Sequence, residues 1–139
     1  MDDFRQMISL DDLTSDGTIT LARTAAEAIR GLNWTTNCRA GLDQPAVAYD
    51  VLGALSQAAS RLPQLTAQIT RYLDHALAAG KLGHDRGEDP ALAVESAAIF
   101  LDDARGSAAA LAGDLDAARQ QLALINGHGH GHRTPQDQP

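Results

Sequence analysis

The chain has 139 residues, a net charge of −7, 44% hydrophobic and only 4% aromatic residues. That length suits one domain with a modest core, and alanine, about a fifth of the sequence, favours packed helices over a sandwich or barrel. With Lys81 the only lysine beside ten arginines, there is no basic stripe of the kind that duplex binding draws on, so nucleic acid is disfavoured as a partner.

Residues 1–17 are acidic and mixed. Phe4, Met7, Ile8 and Leu10 give the segment enough apolar character for partial order at most. A first helix is expected from Thr18 or Thr20 to Thr36, with Leu21, Ala25, Ala28 and Leu32 on one stripe. "NCRAGLD" interrupts it. A second helix opens at "DQPA", with Asp43 or Gln44 as cap and Pro45 in the first turn, and runs to about Ala79. Its heptads place Ala48, Leu55, Leu62, Ile69 and Ala76 on one line and Val51, Ala58, Leu65 and Tyr72 on the other. Pro63 predicts a kink or break near Ala59, because it removes a backbone donor and crowds the preceding turn.

"GKLGHDRGE" then forms a loop, and a third helix starts with Asp89 as cap and Pro90 in first position. Val94, Leu101, Ala108, Leu115 and Leu122 alternate with Ala97, Ala104, Leu111, Ala118 and Ile125, and Asn126-Gly127 ends the pattern. The expected fold is all-α: a long antiparallel helical hairpin, its second helix kinked at Pro63, with a shorter N-terminal helix packed on it. Residues 18–126 make the bundle domain, and 127–139 a flexible Gly/His/Pro tail. A helix half as long as the hairpin leaves part of the heptad seam uncovered. The interaction seam is expected at Leu55, Leu62, Leu65, Ile69, Tyr72, Leu101, Leu111, Leu115 and Leu122, and Tyr72 is placed in the core. Trp34 is a candidate staple between the first helix and the hairpin.

No catalytic set is evident. Asp102 and Asp103, as helix neighbours, point about 100° apart, and no Glu-x-x-His pair offers a di-metal site. Cys38 has Arg39 beside it but no histidine nearby in sequence to act as base. "GKLG" lacks the spacing and hydroxyl of a phosphate loop and reads as a cap and turn. His128, His130 and His132 alternate with glycine, so an extended tail turns three imidazoles one way and has adventitious affinity for Zn²⁺, Ni²⁺ or Cu²⁺. No cofactor is called for. No signal peptide or stretch of about 18 apolar residues is seen, so the expected setting is the cytoplasm, with no membrane partner.

"GLDQPAVAYDVLGALSQAASRLPQLTAQITRYLDHALAAGKL" and the Asp-Pro-initiated Ala-rich helix after it resemble a set of small uncharacterised actinobacterial helical proteins. The resemblance spans most of residues 20–125 and is strongest at Tyr49–Leu55 and Arg61–Leu65; it implies no activity and no site residues. The hairpin shape is also similar to the WXG-motif proteins of type VII secretion. Here, however, the loop has no Trp-x-Gly, and neither Tyr49 nor Tyr72 has an acidic residue four positions on. The function these features imply is a non-enzymatic interaction or scaffolding module, as a homodimer or with a helical protein partner. The alternatives are a regulatory protein with weak nucleic-acid contact through Arg23, Arg30 and Arg39, or metal binding through the tail.

Overall fold

A computed structural model describes residues 13–127; the tail histidines and most of the N-terminal segment lie outside them. Among the described residues there are three helices, and the chain divides into two compact units at Asp43/Gln44.

The first unit holds α1 (Ser15–Thr36). It begins three residues before the earliest predicted start, because Thr14 is the cap: its Oγ1 accepts the Gly17 N–H at 3.0 Å. Asp16 in the first turn suits the positive end of the helix dipole. After Thr36 the backbone folds back through Cys38 N–H to Thr35 O and Gly41 N–H to Cys38 O. A side chain at Gly41 would collide with the Thr35 carbonyl, so this turn requires glycine.

The second unit is a hairpin of α2 (Pro45–Ala78) and α3 (Pro90–Leu122) packed on each other. Pro45 and Pro90 both start helices, where a missing N–H is harmless. Asp89 caps α3 by accepting the Ala91 N–H at 3.0 Å. α2 closes on a Schellman turn: Lys81 N–H reaches Ala76 O and Gly80 N–H reaches Leu77 O, with Gly80 at φ +69. "GKLG" is therefore a cap, as its composition implied. Pro63 does not break α2, which is a single helix through it. α3 stops at Leu122, short of Ile125, and ends in tight turns from Ala123 N–H to Gln120 O and Ile125 N–H to Leu122 O.

Two cross-contacts fix the register. Arg119 Nη1 donates to Tyr49 Oη, and Ser56 Oγ donates to Ala112 O at 2.8 Å. One heptad forward on α2 thus meets one heptad back on α3, as antiparallel pairing demands. The seam runs through Leu52, Ser56, Ala59, Pro63, Thr66, Thr70 and Leu73, facing Val94, Ala98, Leu101, Ala108, Ala112 and Leu115. The buried residues of the hairpin are small or β-branched: Ala59, Ala76, Val94, Ala108 and Ala112.

This corrects the predicted seam. On α3 the Val94–Leu122 line lies inside as expected, but Ala104, Leu111, Ala118 and Ile125 are exposed. On α2, Ala76 of the predicted lines is buried and Ala48, Val51 and Leu55 are half-buried, but over the middle of the helix the contact is made one residue along, and Leu62, Leu65, Ile69 and Tyr72 are exposed. One residue is about 100° of helix, so the strongest apolar line of α2 points away from α3. Tyr72, at 65% exposure, is not a core residue. The reason is steric. Alanine and hydroxyl side chains allow close helix approach, and the hydroxyls are satisfied locally, Thr66 on Pro63 O and Thr70 on Thr66 O.

Close packing at Ala108, only 7% exposed, gives a direct expectation. Ala108→Leu overfills the seam and lowers unfolding free energy by about 1–3 kcal/mol, read by urea denaturation under circular dichroism; Ala110→Leu, on the exposed side, leaves it nearly unchanged.

Candidate interaction surface

The register gives the hairpin two unlike faces. In an antiparallel pair, positions one residue before each seam position fall on the same side of both helices, and positions one residue after fall on the other. The second side is mostly polar: Gln57, Ser60, Gln64, Arg71 and Asp74 from α2, with Glu95, Asp102, Asp116 and Gln120 from α3, and one exposed large apolar residue, Ile99. Asp102 pairs there with Arg105 at 2.6 Å. A shallow groove lined by Thr66, Ala67, Thr70, Ala98, Asp102 and Arg105 opens on this side. It has one exposed ion pair, the kind that contributes little energetically, and no other charged group.

The first side is apolar. α2 contributes Leu55, Ala58, Leu62, Leu65, Ile69 and Tyr72; α3 contributes Ala97, Phe100, Ala104, Leu111 and Ala118. Leu65 is 49% exposed, Leu111 50% and Phe100 73%. Asp114 lies on it, and Arg61 and Asp103 stand at its rim. Of the nine residues expected to form the interaction seam, this face gathers Leu55, Leu62, Leu65, Ile69, Tyr72 and Leu111. The other three, Leu101, Leu115 and Leu122, are half-buried on the line facing α2. The spacing of the large residues pointed to the first group; which neighbour each line faces could not be read from hydrophobicity alone.

Near the open end of the hairpin sits a cluster that sequence inspection missed. The Arg119 guanidinium lies 4.9 Å from the Tyr49 ring centroid, donates to Tyr49 Oη at 2.6 Å, and donates twice to Asp116 Oδ1, at 3.0 and 2.8 Å. The hydrogen bond to Asp116 holds the guanidinium above its ordinary pKa, opposed by partial desolvation. Gly53 leaves room for the Arg119 stem, which passes 3.2 Å from where a Cβ would stand. No sequence pattern pointed to it, because Tyr49 and Arg119 are 70 residues apart. The cluster is a clasp across the helix ends, and its partners are all internal.

The remaining candidates stay apart. Cys38 is exposed, in a unit whose sequence contains no histidine. Arg30, one of three arginines considered for nucleic acid, is paired with Glu27 at 3.3 Å. Asp102 and Asp103 are both exposed, and only Asp102 is paired. His84 Nε2 lies 3.6 Å from Glu88 in the α2–α3 connection. Among the described residues no group of three His, Cys, Asp or Glu side chains is placed to hold a metal ion, and no helix is long and apolar enough to cross a membrane. His128, His130 and His132 lie outside the described residues.

If the clasp fastens the helix ends, Tyr49→Phe lowers the thermal midpoint, whereas Gln120→Ala, which removes only a contact to Asp116 on the same helix, does not. Melting curves of the two variants decide this.

The chain matches no family model, no curated protein and no solved structure.

Proposed function

We propose that this protein is a non-enzymatic interaction module that docks a helical protein partner on the apolar face of its hairpin. One observation carries the proposal: α2 has two adjacent heptad lines, of which the small-residue line is used against α3 while the large-residue line, Leu62, Leu65, Ile69 and Tyr72, is left exposed. Two neighbouring apolar lines on one helix are the pattern of a helix with two helical neighbours in a bundle. Large exposed apolar patches rimmed by polar residues mark interaction sites on soluble proteins.

The chemistry of the face supports a protein partner over other ligands. It is apolar, with few charges and without convergent polar groups, unlike a small-molecule site. The alternatives gain nothing specific. Nucleic-acid contact through Arg23, Arg30 and Arg39 has only isolated arginines behind it, one already paired with Glu27.

A photo-cross-linking residue in place of Tyr72, introduced in the cells that make the protein, should yield discrete protein adducts. The same residue in place of Gln64 on the polar face should not. Equal labelling from both positions, or none from position 72, would overturn the proposal.

A further inference from the structure

The apolar face is built to fit itself, and we infer that its occupant is a second copy of this chain, giving an antiparallel four-helix bundle. The inference rests on the docking surface proposed above and names its partner.

Size comes first. A hairpin of helices 33 and 34 residues long, at about 1.5 Å per residue and about 10 Å per helix, presents roughly 1,000 Å² on one side. Stable protein pairs bury about 800 Å² per partner. One hairpin face on another therefore suffices without help from other segments.

Shape is the more discriminating observation. Place a two-fold axis along the length of the bundle. α2 of one copy then lies antiparallel to α3 of the other, at the same levels that Tyr49–Arg119 and Ser56–Ala112 set within one copy. Leu65 comes level with Ala104, Tyr72 with Ala97, Leu111 with Ala58 and Leu62 with Ser107, while Ile69 comes level with Phe100 and Leu55 with Asp114. At four of these six levels a large side chain meets alanine or serine, the large one contributed by α2 at three and by α3 at one. Interdigitation of large with small residues is what close helix packing requires, and an isologous interface repeats each fit twice.

Charge agrees. Despite a net charge of −7, the acidic residues Asp74, Glu95, Asp102 and Asp116 are on the opposite side, and Asp114, the one acidic residue on the paired face, comes level with Leu55 rather than with another acid. At the rim, Arg61 of α2 stands within about one turn of the level of Asp103 of α3, both exposed, which places opposite charges across the seam between copies.

Light scattering after size exclusion tests this on the full chain under reducing conditions, over a wide concentration range. The expected mass is twice the 14.6 kDa of one chain. Leu65→Lys with Ile69→Lys should return it to a single chain with helical circular dichroism retained, and Gln64→Lys should leave the dimer intact. Ala104→Leu should weaken pairing without changing the fold, since Ala104 is exposed within one copy, and Leu65→Ala added to it should restore part of the loss. A dimer indifferent to the lysine pair, or a monomer at every concentration, overturns the inference. In a monomer, the thermal midpoint of the lysine pair separates the two failures. An unchanged midpoint leaves the face free for a different partner, whereas a large drop means that the chain itself covers it, and the docking proposal falls too.

Discussion

The close approach of α2 and α3 through small side chains is the constraint from which the rest follows. Ala59, Ala108 and Ala112 are buried where the helices meet, and the Ser56 hydroxyl reaches the Ala112 carbonyl of the opposite helix. Neither contact survives a bulky side chain. Once that line is given to alanine, serine and threonine, the leucines one position earlier have nowhere to go but outward. The exposed apolar face is thus a geometric consequence of the tight seam, and the polar and charged residues that flank the seam on the other side complete a two-faced hairpin.

The energetic logic is consistent with that arrangement. Alanine seams bury little area per residue, so their favourable term is mostly the dispersion of a dense contact, which depends on exact fit. Caps at both ends of the loop, the Schellman turn at Gly80 and Asp89 on Ala91, hold the helices where that fit is realised. The Arg119–Tyr49–Asp116 clasp does the same at the open end, through a cation–π contact and charge-assisted hydrogen bonds. A small hairpin core has little reserve, and burying the larger leucines against another helix supplies what the alanines do not.

Much of the fold was legible in the sequence, for local reasons. Pro45, Pro90, Asp89 and the glycines after Ala79 are residues whose backbone chemistry specifies helix ends, and they do so here. The hairpin followed from two helices of equal length and a short loop. What was not legible was which of two adjacent heptad lines faces α3. Hydropathy ranks Leu62, Leu65 and Ile69 above Ser56, Ala59 and Thr66, yet close packing selects by volume. Nor does a hydroxyl that bonds the preceding turn, as Thr66 and Thr70 do, behave as the polar group that a sequence pattern takes it for. The Tyr49–Arg119 contact was hidden for another reason: it depends on a register that only the packed seam defines.

The orientation of α2 can be tested by cross-linking within one chain. In a Cys38→Ser background, Ser56→Cys with Ala112→Cys places two thiols across the small-residue seam, while Leu65→Cys with Ala104→Cys would join the lines that hydropathy prefers. Mild oxidation of dilute protein should close the first pair within a single chain and leave the second without an intrachain bond. If the first pair stays reduced and the second closes within the chain, α2 presents its leucine line to α3, and the exposed face, together with every role proposed for it, disappears.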